Sequence, residues 1–167
     1  SYMVIDDFLD EKEFKYIRDI IFYDEDFKWN FVHAVSGMGG FIAEHIDSKM
    51  TWRVPQKQTP DGELDCMMVH GLYIDNLPVS DYAKTMMKIF LPKIKERVTL
   101  RSLIRIKTNC YMRTHTVEEH SKHMDYDYEH TSGLFSLNTC DGFTRLEDGT
   151  KIDSVENRML FFDGSRL

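Results

Sequence analysis

Basic runs, paired cysteines and long apolar stretches are all missing from this sequence, and each absence removes a class of function. No Lys/Arg cluster of the kind that grips phosphates occurs, and the formal net charge is −7. Nucleic acid is therefore a disfavoured partner. No stretch approaches the roughly 18–20 apolar residues that a membrane helix needs, so no membrane partner is expected. The three cysteines, Cys66, Cys110 and Cys140, are widely spaced and odd in number. They make no C-x-x-C pair and no disulfide framework. They read as small buried side chains in a reducing, cytoplasmic setting. The opening Ser1 to Asp7 has no basic region before its acids, so no signal peptide is expected. A first residue other than Met reads as a trimmed end.

What is present suits a packed core. The chain has 167 residues, of which 42% are apolar and 13% aromatic. That length reads as a single domain, 1–167, able to bury roughly 70% of the surface its unfolded form exposes. A helix is predicted from Asp10 to Phe22. Asp10 is a good N-cap with Glu13 three residues later, and Phe14, Ile17 and Ile21 recur at helical spacing. Val4 to Leu9 reads as a short strand leading into it. Phe27, Trp29 and Phe31 alternate with polar neighbours, the period of a half-buried strand. Ser36–Gly40 and Gln56–Gly62 read as loops. A second helix is predicted from near Ser80, with Tyr82, Met86, Phe90 and Ile94 on one stripe, where Pro92 should kink the helix or restart it as a second segment.

From Thr99 the chain turns β-rich. Leu103 to Met112 reads as a strand with Arg105, Lys107, Asn109, Tyr111 and Arg113 on one face. Ser132 to Asn138, Phe143 to Glu147 and Met159 to Phe162 read as further strands. Cys140-Asp141-Gly142 reads as the hairpin turn between the first two of these. Helices first and many short strands later imply a mainly β protein with flanking helices. The helical support covers about 1–98 and the β core about 99–167.

The densest chemistry lies at His115, His120, His123 and His130, interleaved with Glu118, Glu119, Asp125, Asp127 and Glu129. Within it stands His123-Met124-Asp125. Residues two apart on an extended strand point the same way, so imidazole and carboxylate could share one metal. Two histidines and a carboxylate on one face of an octahedral iron form the facial triad of non-haem oxygenases. The tripeptide alone proves nothing, since a chain of this composition holds about 0.7 copies by chance.

Its context resembles a known family. Val4-Ile5-Asp6-Asp7-Phe8-Leu9 before a helix, Arg105 to Tyr111, His123-Met124-Asp125, Leu134 to Asn138, Gly142 to Leu146 and Asn157 to Phe162 occur in a telling order. It is the order found in the prolyl 4-hydroxylase-like branch of the 2-oxoglutarate- and iron(II)-dependent oxygenases, including bacterial and phage forms. Leu146 stands where that family's hairpin usually has Phe. The resemblance implies a double-stranded β-helix, or jelly-roll, core. It implies Fe(II) on His123 and Asp125, and 2-oxoglutarate near Tyr111, Asn109, Arg105 and Asn138. Dioxygen would be the second co-substrate and ascorbate a supporting reductant. The implied reaction hydroxylates a prolyl or other amino-acid side chain in a peptide, protein or free amino acid, releasing succinate and CO2.

The family's distal histidine and the basic residue that clasps 2-oxoglutarate are expected beyond Leu167, because no His follows His130. His130, only five residues past Asp125, is a poor substitute. Three other classes stay in view: a metal-free or degenerate jelly-roll binding module, a cupin-like isomerase and a zinc hydrolase. The chain has neither the HxH pattern of cupins nor an HExxH helix.

Overall fold

The computed structural model describes residues 1–32, 42–46, 49–53, 66–120 and 123–166. In chain order the elements are β1 (Tyr2–Ile5), α1 (Glu11–Tyr23), β2 (Asn30–Val32), β3 (Ile42–Ile46), β4 (Lys49–Arg53), β5 (Met67–Ile74) and β6 (Leu77–Pro78). Then come α2 (Ala83–Lys95), β7 (Ile106–Tyr111), β8 (Thr131–Ser136), β9 (Phe143–Arg145), β10 (Lys151–Asp153) and β11 (Arg158–Asp163). Among the described residues the protein is mainly β with two helices, and every strand pair with a defined register is antiparallel. It divides into two compact units. The first holds Ser1–Lys28, Gly71–Lys107 and Met124–Leu167; the second holds Trp29–His70 and Thr108–His123.

In the first unit α1 forms as its sequence dictates. The Asp10 carboxylate accepts from the Glu13 backbone N–H at 2.9 Å, which satisfies one of the free donors at the helix start. Phe14, Ile17 and Ile21 are buried on one face. α2 begins at Ala83, after Ser80 Oγ accepts from the Tyr82 N–H at 3.2 Å. Pro92 lies within it, and the helix runs on to Lys95 instead of restarting. A proline so near the C-terminal end removes one helical bond and little more.

The helices cover a three-stranded sheet of order β1-β11-β8. Tyr2 pairs with Phe162, and Ser136 with Arg158. Phe8, Phe14, Phe90, Phe135 and Phe161 form an aromatic cluster, with the Phe90 and Phe135 centroids 5.0 Å apart in an edge-on contact. Leu9 and Ile17 are almost fully buried beside it. Each such side chain contributes about 1.5–3 kcal/mol by leaving water.

The sheet corrects the expected hairpin. Cys140-Asp141-Gly142 does not join paired strands: β8 pairs with β11 and not with β9. The hairpin is β9–β10, closed by Leu146–Thr150, where Gly149 has φ of 86°. Asp148-Gly149, directly after the expected strand Phe143 to Glu147, is thus the turn. β10 itself was not expected, nor was the β5–β6 turn at Asp75-Asn76, where both residues have positive φ.

In the second unit β2 pairs with β5 through Asn30–Val69 and Val32–Met67, and β3 pairs with β4. The alternation around Trp29 yields only the short β2, and Phe31 is exposed. The Ser36–Gly40 and Gln56–Gly62 loops lie outside the described residues. All three cysteines are free thiols, and none is buried as expected: Cys66 and Cys110 are half-buried and Cys140 is exposed.

Candidate functional site

Arg105 stands one residue before β7, and Lys107 is the strand's second residue. The β period places both on one face. That face meets Asp125 within the first unit. The Arg105 guanidinium pairs with Asp125 Oδ2, and Lys107 Nζ lies 4.0 Å from Oδ1. The Arg105 guanidinium also lies over the Tyr126 ring, 5.1 Å from its centroid, a stabilising cation–π contact. The three charged side chains are 23%, 29% and 33% exposed, so water screens them only partly. Burial pushes the Lys107 ammonium below its usual range, and the Arg105 charge pushes it further. Asp125 pulls it back.

The rest of β7 belongs to the second unit. Asn109 Nδ2 donates to Tyr111 Oη over a long 3.5 Å. Asn109 Oδ1 is buried and has no hydrogen-bond partner among the described residues. Tyr111 is exposed, and its ring stacks on His120 at 5.7 Å. His120 is half-buried and His115 is exposed. Asn138 is exposed, two residues beyond β8 in the first unit.

His123-Met124-Asp125 lies in irregular chain between β7 and β8. It is not on a strand, so strand alternation does not govern where its two side chains point. The boundary between the units falls after His123, which is exposed. Imidazole and carboxylate are the donor types that suit a non-haem iron. Among the described residues no three His, Cys, Asp or Glu side chains are grouped to hold a metal ion. The two residue types thus fit Fe(II) in kind.

His130 does not join them. Its Nδ1 lies 2.8 Å from the Tyr128 carbonyl, so Nδ1 donates there. Its Nε2 is buried without a hydrogen-bond partner among the described residues, packed where a Cβ on Gly164 would stand.

The structure thus brings together Arg105 with Asp125, and Asn109 with Tyr111. Sequence reasoning placed Lys107 on the Arg105 face but gave it no role; its i+2 spacing was the available signal. Nothing in the sequence marked Tyr126 as the platform for Arg105. A separate cleft at the start of α1 is lined by Asp7, Asp10, Glu11 and Glu156 with Leu9, Phe14 and Asn157. It contains none of the predicted residues. No described helix is long and apolar enough to cross a membrane. No family model, curated protein or solved structure matches the chain.

Proposed function

We propose that this protein is an Fe(II)- and 2-oxoglutarate-dependent dioxygenase of the prolyl 4-hydroxylase-like kind, built on a double-stranded β-helix. The observation that carries the reading is the order of its motifs. An Arg/Lys/Asn/Tyr strand comes first, then His123-x-Asp125, then Leu134–Asn138, then Gly142–Leu146, then Asn157–Phe162. The antiparallel β8 and β11 and the β9–β10 hairpin between them support it, since a jelly roll is built of such strands.

In this reading His123 and Asp125 hold the iron. When bound, iron and 2-oxoglutarate would activate dioxygen as the oxidant, one oxygen atom going to the substrate as hydroxyl and the other to succinate, with CO2 released. The chain's own part is to bind and orient. Arg105 offers a fork of donors to a carboxylate. Tyr111 and Asn109 offer a hydroxyl and an amide to the co-substrate, and Asn138 a further amide. The substrate class is a prolyl or other amino-acid side chain in a peptide or protein, or a free amino acid.

Iron-loaded protein should turn over 2-oxoglutarate to succinate faster with a proline-rich peptide than without it. Equal rates would remove proline as the target. A second reading is a metal-free jelly-roll binding module. It is favoured by Asp125, whose carboxylate is engaged by two cations.

A further inference from the structure

We propose that Arg105 and Lys107 form a carboxylate-binding pair whose resident occupant is Asp125, and that a small external carboxylate takes the pair when a divalent cation draws Asp125 away. The cation half rests on the function proposed above. The pair itself rests only on contacts within the first unit.

Both oxygens of Asp125 are engaged, Oδ2 by Arg105 and Oδ1 by Lys107 at 4.0 Å. One carboxylate cannot neutralise two cations, so the cluster keeps an excess positive charge. Its members are only 23–33% exposed, and solvent compensates that charge poorly. If Asp125 leaves, two like charges stand together, half-buried and unmatched. That state is costly, and an anion of the same shape relieves it. The Arg105 plane is steadied by the Tyr126 ring beneath it, and a guanidinium fork held in place suits a planar carboxylate.

A divalent cation and Arg105 compete for the same carboxylate. Asp125 cannot serve both fully, so occupancy of one site opens the other. Linkage makes the effect reciprocal: the cation tightens the carboxylate, and the carboxylate tightens the cation. The ligand class is a small mono- or dicarboxylate, with 2-oxoglutarate one member.

The test uses metal-free protein first, with succinate as probe and calorimetry as readout. Asp125→Asn removes the resident carboxylate. It should bind succinate at least about tenfold more tightly than the unaltered chain. Adding Arg105→Gln or Lys107→Gln to Asp125→Asn should abolish that gain. If Asp125→Asn gains nothing, or either double variant keeps the gain, the pair is not a carboxylate site.

The second arm measures Mn(II) affinity by electron paramagnetic resonance without any carboxylate. Arg105→Gln should bind Mn(II) more tightly than the unaltered chain, because the competitor for Asp125 is gone. Equal or weaker binding overturns the coupling, and this arm decides if Asp125→Asn fails to fold. Failure of the oxygenase reading looks different: Mn(II) binding that His123→Ala leaves untouched, with the metal-free succinate result intact.

Discussion

Asn157 is buried and polar, has φ of 59°, and joins segments 148 positions apart. Its Oδ1 accepts from the Leu9 N–H at 3.0 Å, and its Nδ2 donates to the Leu9 carbonyl at 2.8 Å. Its own carbonyl accepts from the Phe8 N–H, and its N–H donates to the Ser136 carbonyl. An asparagine suits this place because its side chain mimics a peptide and tolerates the left-handed region. Asn157→Ala leaves two backbone groups of Leu9 unpaired, at about 1–3 kcal/mol each. Asn157→Gly should recover the part due to backbone strain, and urea unfolding of both variants separates the two causes. A loss well below 1 kcal/mol in Asn157→Ala would contradict this role. The sequence marked Asn157 only as the start of a family-like strand, because nothing local announces a clasp to Leu9. Asp6 offers a pH prediction at the same scale. Its hydrogen bonds to Arg158 Nε and Nη2 hold the carboxyl below its ordinary 3.8. A folded-state value below the unfolded one means the pair stabilises fully above pH 3.8. That contribution fades as pH falls through the lowered folded value. Asp6 is more than half exposed, so the effect stays below about 1 kcal/mol. Asp6→Asn should lower Tm slightly at pH 7, and the difference should vanish near pH 2. A difference that persists there would refute the assignment.

The elements show where local reading succeeds and where it stops. α1 was legible from Asp10 through Phe14, Ile17 and Ile21, because capping and helical periodicity are local. The partner of β8 was not. Cys140-Asp141-Gly142 offers turn chemistry, yet Phe135 pairs with Met159 across an intervening hairpin. Which strand fills that position is set by the buried faces, and sequence spacing does not encode it. β7 was legible as a strand, but both its faces are half-buried, so alternation could not say which faced the core. Two variants test the sheet's packing. Phe8→Ala opens the aromatic cluster and should cost about 3–5 kcal/mol by denaturant unfolding. Gly164→Ala would drive a Cβ into Ser132 Oγ and into the His130 ring that Tyr128 holds. Displacing that ring should cost about 1–3 kcal/mol. A neutral Gly164→Ala would mean the end of β11 yields freely.

For the whole molecule, the absence of basic runs and the mainly β character set the class, and the site required the chain's long-range order. His123 and Asp125 were legible as a spacing, although the strand that this spacing assumed is absent there. The engagement of Asp125 by Arg105 and Lys107 was not, because it joins β7 to a segment nearly 20 residues later. In the proposed function His123 and Asp125 hold iron with 2-oxoglutarate. The most direct measurement is an anaerobic titration with Fe(II) and 2-oxoglutarate, watching for the visible charge-transfer band of the chelate. The account predicts a saturable band that is lost in His123→Ala and in Asp125→Ala. No band, or one that survives both substitutions, would contradict it and favour the metal-free binding module.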